Sequence, residues 1–219
     1  MTMDILSLPV PRLKRFDWIV RGDAVGPDPV CDMPVRLTTD AIAIPTIGAI
    51  VPNWLLVVPR VCTLSLADLP PDSRWNILNF GRNLASDMID TGKPVFFEHG
   101  ARTAKDIVGC GVDQAHLHVL VTEIDLLGAA LSDQTVRWTE TDPIDPWDHL
   151  DNAEYYLIQN SSRAFVGHPR APQSQYFRKL IARAAGVPCQ WDYKVWPNYE
   201  NVRRTYDRFV DYGVKIVRP

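Results

Sequence analysis

At 219 residues, 46% of them hydrophobic, the chain can bury one sizeable core without a disulfide or metal staple. A formal charge of -3 excludes the basic field that a duplex-binding protein needs. It leaves room for a small nucleotide, whose phosphate requires only local donors.

The stretch Met1–Leu8 carries an aspartate and no long apolar run, so no secretory signal is read and a cytoplasmic, reducing location is expected. Residues 1–33, rich in Pro, Gly and Asp, are expected to form an N-terminal extension that wraps the surface. Four cysteines, Cys31, Cys62, Cys110 and Cys189, form no C-x-x-C pair, which removes the usual support for zinc-ribbon or thioredoxin-like readings. Residues 41–59, AIAIPTIGAIVPNWLLVVP, are uncharged and long enough to raise a membrane question. Pro45, Pro52, Pro59 and Asn53 interrupt them, so two short buried strands joined by a turn are predicted instead of a spanning helix.

Residues 70–94 predict a helix with Asp72 as N-cap, a stripe of Trp75, Leu78, Leu84, Ala85 and Met88, and a stop at Gly92 and Pro94. PVFFEHG (94–100) predicts a strand, and the polar, glycine-bearing loop 101–111 leads from it into QAHLHVL. Further strands are expected at TVRW (135–138), YYLIQ (155–159) and RAFV (163–166). Ser174 is expected to cap a helix with Phe177, Leu180, Ile181 and Ala184 on one face and Gly186 at its end. A last helix near 200–211 should bury Val202, Tyr206, Phe209 and Val210. Strand spacing is too irregular for successive βαβ units, which favours a mainly antiparallel α+β domain.

The chemistry concentrates in DQAHLHVL (113–120). Alternation with period two places Gln114, His116, His118 and Leu120 on one face and Ala115, Leu117, Val119 and Val121 on the other. The second set belongs in a core. The polar residues of the first set each need a partner, water or a ligand, because an unpaired buried donor or acceptor costs about 1–3 kcal/mol. They could be satisfied core residues. They could bind a metal, but further ligands would have to come from His99, His168, Glu98 or Glu123, none at a recognised spacing. Catalysis asks for less: a neutral imidazole can attack phosphorus if its other ring nitrogen is held by an acceptor, while a second imidazole binds a phosphate oxygen or assists the leaving group. Backbone N–H groups near Gly109 and Gly111 could hold the remaining oxygens.

GCGVDQAHLHVL (109–120) resembles the signature of the histidine triad (HIT) superfamily, in a form similar to the larger bacterial HIT-like group. The resemblance implies a HIT-like α+β fold, a mainly antiparallel sheet of five to six strands with packed helices. The nucleotide-binding core would span 34–130, with strands and helices of 131–219 packing on the same domain. It further implies a nucleotide-phosphate hydrolase, nucleotidyltransferase or phosphorylase acting at an α-phosphorus through a nucleotidyl-histidine intermediate. His116 falls on the central, nucleophilic histidine and His118 on the third, while Gln114 replaces the first. A branch with two histidines and a glutamine places the glutamine last, so His116 keeps its role under either alignment. IGAIVPNWLLVVPR (47–60) is similar to the segment that lines the base and ribose, with Trp54 and Cys62 near the places of its usual histidines. VFFEHG stands where the family has a polar turn, which puts Glu98 or His99 in reach of the ligand. PQSQYFRKLIA (172–182) looks like a feature of the larger bacterial group.

Other residues carry two readings each. Arg102 and Lys105 could screen polyphosphate charge or be solvated. Ser174 and Gln175 could receive a phosphate at a helix start, with Arg178 or Lys179 beside it, or simply cap that helix. Trp54 could stack on a base or belong to the core. The aromatic run WDYKVWPNYE (191–200) is expected to pack on the sheet or at a subunit interface. The expected partner is a small-molecule nucleotide, without nucleic acid duplex or membrane, and the family implies a homodimer. No cofactor or resident metal is required, though a divalent metal could accompany a polyphosphate substrate. Two rivals stay open: a non-catalytic nucleotide sensor, and a zinc-binding protein using His116 and His118.

Overall fold

The computed structural model of the chain describes residues 15–104, 112–148, 150 and 153–211. The uncharged stretch folds as β2 (Ala41–Pro45) and β3 (Trp54–Pro59), an antiparallel pair in register from Ala41 opposite Pro59 to Pro45 opposite Leu55. Every residue of both strands is buried, which is why neither carries a charge. Around this pair grows one eight-stranded sheet. It adds β1 (Arg36–Leu37), β4 (Lys93–Gly100), β5 (Leu117–Thr122), β6 (Val136–Thr141), β7 (Tyr155–Gln159) and β8 (Ala164–Pro169).

The spatial order is β1-β2-β3-β5-β4-β7-β8-β6, and every neighbouring pair is antiparallel. The α+β class expected from the sequence is therefore present, with more strands than the five to six anticipated. The surplus arises because β7 pairs directly with β4, so the C-terminal strands extend the sheet. All five residues of β7 are buried, and an interior sheet position satisfies both their backbones and their side chains.

Helix α2 (Pro71–Ser86) covers one face, packing Ile77, Leu78, Leu84 and Ala85 against a core that contains Leu117, Val119 and Val121 of β5. Gly81 permits the approach: a Cβ there would meet Leu117 and Val119 side chains at 3.1 Å. The anticipated stripe was misphased at Trp75, which is 50% exposed. Trp75 precedes Ile77 by two residues, about 200° around the helix, so it must point away from the sheet. Pro70 occupies the N-cap with Pro71 at N1, and Asp72 lies in the first turn instead of capping.

The other face is covered by α4 (Tyr176–Ala184), α3 (Leu126–Leu131) and the N-terminal segment containing α1 (Asp17–Val20). Residues 15–32 do more than wrap the surface. Phe16, Trp18 and Ile19 are buried against Ile42, Ile44, Leu56 and Val58. The C-terminal helix α5 (Tyr199–Asp211) buries Val202, Thr205 and Phe209, leaves Tyr206 half-buried, and exposes Val210, which was expected to be inside. Among the described residues no helix is long and apolar enough to cross a membrane.

Candidate functional site

Strand β5 begins at Leu117, so Gln114 and His116 belong to its lead-in and His118 to the strand itself. Within the strand the alternation holds: Leu117, Val119 and Val121 join the α2 core, while Leu120 joins the opposite one. Strand β4 alternates likewise, and its register sets Phe97 opposite His118. Their rings stack at 4.5 Å with an interplanar angle of 9°. On the other flank of β5, Leu56 of β3 stands opposite His118, which makes Trp54 a diagonal neighbour on the same face. The Trp54 indole Nε1–H donates to His118 Nδ1 at 3.1 Å.

His116 Nδ1 lies 2.9 Å from the carbonyl oxygen of Gln114. A carbonyl can only accept, so Nδ1 carries the proton and Nε2 keeps its lone pair when the ring is neutral. The ring stands 4.9 Å from that of His118 and meets Phe16 edge-on at 5.6 Å. His99, from β4, approaches His118 at 5.8 Å and nearly perpendicular. Its Nε2 is buried without a hydrogen-bond partner. Strand β4, strand β5 and the lead-in to β5 thus bring three imidazoles together where the sequence motif supplies two.

Arg178, in the first turn of α4, closes the group. It donates to the carbonyls of Gly48 (2.6 Å) and Ile47 (2.6 Å) and to Thr46 Oγ1 (2.8 Å), and its guanidinium lies 4.6 Å from the Trp54 ring. Gly48 has φ of 71°, and a Cβ there would press on Tyr193 at 2.4 Å, so glycine is needed for this turn to sit against the cation. His99, His116, His118 and Arg178 line a cavity of about 40 Å³, with Arg15, Phe16, Thr46, Gln175 and Tyr193 and the apolar Ile47, Leu56 and Val112 also in its wall. A larger cavity of about 550 Å³, with Trp18, Asp32 and Tyr199 in its wall, shares Arg15 with it.

Burial holds all three rings in the neutral form. His116 is pushed down to about 4, chiefly by burial and further by the charges of Arg178 and Arg15, against which the Gln114 carbonyl works in the other direction. Burial and the neighbouring His116 and Arg178 take His99 down to about 3. His118 is lowered well below its ordinary value by burial and then by His116, His99 and Arg178. At pH 7 the cavity therefore offers uncharged imidazoles beside a guanidinium.

Several expected residues lie elsewhere. The Gln114 side chain donates to the carbonyls of Pro59 (3.1 Å) and Val61 (2.9 Å), tying the lead-in to the end of β3. Its backbone carbonyl, and not its amide, serves the site. Glu98 alternates to the α2 face, away from His99. Trp54 is 0% exposed and cannot stack on a base. Gln175 lines the cavity, whereas Ser174 does not. Lys179 sits over Trp191 at 4.8 Å, and Arg102 pairs with Asp68 at 2.9 Å. Lys105, Gly109 and Gly111 lie outside the described residues. Arg15, Phe16, Thr46 and Tyr193 were not anticipated. The apolar triplet Phe16, Trp18 and Ile19 inside a Pro/Gly/Asp-rich stretch is the signal that would have flagged the first two.

Among the described residues no group of three or more His, Cys, Asp or Glu side chains could hold a metal ion. No protein-family model matches the chain, and no curated protein matches it.

Proposed function

We propose that the chain acts on a nucleotide phosphoanhydride or phosphoester as a HIT-like hydrolase or nucleotidyltransferase/phosphorylase, with His116 as its nucleophile. On this reading β1–β5 and α2 are the HIT-like core and β6–β8 its extension. The observation that carries the proposal is the 2.9 Å contact between His116 Nδ1 and the Gln114 carbonyl, within a cavity that also holds His118, His99 and Arg178. It leaves the His116 Nε2 lone pair free to attack the α-phosphorus. The bond from phosphorus to the leaving oxygen breaks, a P–N bond forms, and the ring becomes a cation whose Nδ1–H stays on the carbonyl. His118 binds a phosphate oxygen or assists the leaving group. Water, phosphate or a phosphorylated acceptor then attacks phosphorus and returns the electron pair to Nε2. About 40 Å³ suits a phosphate-sized group and falls far below the roughly 300–1,000 Å³ that encloses a drug-sized ligand. On this reading the nucleoside lies outside this cavity, and the larger cavity that shares Arg15 offers room for it.

The test is mass spectrometry of protein quenched in alkaline denaturant, which preserves P–N bonds, after mixing with a panel of nucleoside polyphosphates. A nucleotidyl adduct on His116 is expected. Turnover should fall by on the order of 10³-fold or more in His116→Ala. Undiminished turnover in that variant overturns the assignment. A second reading, the non-catalytic nucleotide sensor, draws support from the commitment of the Gln114 amide to Pro59 and Val61, which leaves no side chain at the first triad position to handle the leaving group. Nucleotide binding without any adduct would select it.

A further inference from the structure

Trp54 is fully buried, belongs to neither the nucleophile nor the cavity wall, and yet spends its one polar atom on a histidine that lines the cavity. An indole nitrogen can only donate. The 3.1 Å bond therefore requires His118 Nδ1 to be bare. A neutral imidazole holds one proton, which must then reside on Nε2, and burial together with the surrounding charge keeps this ring neutral. At His116 the partner is a carbonyl, which can only accept, and the proton sits on Nδ1. Two rings with centroids 4.9 Å apart are thus held in opposite tautomers by partners of opposite polarity.

We infer that Trp54 is a positioning residue that fixes His118 as a permanent Nε2–H donor beside the bare Nε2 of His116. The catalytic consequence rests on the phosphoryl-transfer reading; the tautomer assignment does not. A ligand oxygen carrying negative charge meets a hydrogen at His118 while phosphorus meets a lone pair at His116. With the His118 tautomer reversed, a second lone pair would face the oxyanion and repel it. The ligand class that fits is an anion with acceptor-only oxygens on a tetrahedral, electrophilic centre. His118 in this state cannot serve as a base, which leaves it donation to a non-bridging or leaving oxygen.

The setting of the indole supports the role. Arg178 covers its face at 4.6 Å and is itself bonded to Thr46, Ile47 and Gly48, so the ring is clamped and its N–H polarised by a cation. Phe97 stacks on His118 from another side but has no polar atom with which to choose a tautomer.

Long-range proton–nitrogen NMR of 15N-histidine-labelled protein at neutral pH reads the assignment directly. His118 should show a pyridine-type Nδ1 and a pyrrole-type Nε2, and His116 the reverse. Trp54→Phe should move the His118 nitrogens toward averaged values and weaken inorganic phosphate binding about tenfold, leaving His116 unchanged. Phe97→Leu disturbs packing around the same ring and should keep both patterns. A protonated Nδ1 on His118 in the wild-type protein overturns the inference without any variant, as does an unaltered His118 pattern in a folded Trp54→Phe protein. Should the wild-type pattern hold while no nucleotide forms an adduct, the proposed enzymatic function fails and the role of Trp54 stands.

Discussion

Strands β4 and β5 back onto two buried polar clusters that are built in opposite ways. On the α2 face, the Glu98 carboxylate is saturated. Oε1 accepts from the Leu66 backbone N–H at 2.7 Å, and Oε2 accepts from Trp147 Nε1 and the Tyr155 hydroxyl, each at 2.7 Å. Ser65 Oγ, 2.8 Å from the Tyr155 hydroxyl, completes the group. On the other face, His99 Nε2 is buried with no hydrogen-bond partner from the protein, and three imidazoles line a cavity. A polar cluster whose valences all close on one another is architecture. One whose polar atoms converge on a cavity has room for a ligand among them. Orphaned polar atoms alone do not make this distinction, since Trp138 Nε1 is also buried and unpaired. Convergence around a cavity does.

Removing the two central residues should separate the faces, and the larger effect is on stability. Glu98→Ala strands three buried donors and should cost about 3–5 kcal/mol, read as a shift of the urea midpoint at constant slope. Phosphate binding per folded molecule should not change. His116→Ala should do the reverse, altering stability by about 1 kcal/mol or less, because His116 is the most exposed of the three histidines, while abolishing the proposed nucleotidyl adduct. Equal damage to both readouts by either variant would break the division between scaffold and site.

The two clusters should also respond to pH with opposite sign. Burial pushes Glu98 up to about 7 from an ordinary value of 4.5, so the folded protein retains a proton that the unfolded chain releases. Its contribution is complete below pH 4.5 and is lost as pH rises through about 7. The histidines reverse this. With His116 at about 4 and His99 at about 3, the folded protein refuses protons that the unfolded chain takes up below 6.5. That contribution is complete above pH 6.5 and is lost as pH falls through about 4 and then about 3. Glu98→Gln should therefore remove the decline in Tm between pH 4.5 and about 7 and leave the acid limb intact. An unaltered profile in this variant would mean that Glu98 does not hold its proton in the folded state.

The contrast also explains what the sequence could disclose. Period two in Leu117, Val119 and Val121 was legible because a buried strand face tolerates only apolar side chains there. Adjacent positions on one strand must face opposite ways, so of Glu98 and His99 only one could reach a common site. Which one depended on the register of Phe97 against His118, and register is a long-range property that alternation does not specify. Gln114 was placed beside the right histidine, but a one-letter code cannot say whether a residue acts through its amide or its carbonyl. Trp54 read as either stacking or core, and its indole bond to His118 depends on a strand pair separated by 64 positions. Arg15 and Phe16 were concealed by the composition around them, which resembles surface loop until the burial of Trp18 and Ile19 is seen.

Those two residues give the smallest effect and the finest division between the faces. Phe16 is 2% exposed and lies edge-on to His116, and Arg15 beside it donates to Asp32 Oδ1 at 2.8 Å, closing the N-terminal segment on itself next to the cavity. Phe16→Leu keeps an apolar side chain there and should cost about 1–1.5 kcal/mol. Without the ring edge the cavity widens toward Arg15, so acylation of His116 by diethyl pyrocarbonate, which attacks neutral imidazole, should accelerate about threefold. His118 and His99 lie deeper, at 5% and 7% exposure, and should react at their original rates. If all three histidines accelerate together, the substitution has loosened the whole face, and Phe16 is a core residue like any on the Glu98 side. Acceleration confined to His116 makes the Phe16 ring a local cover over that histidine, and the saturated cluster has no such cover.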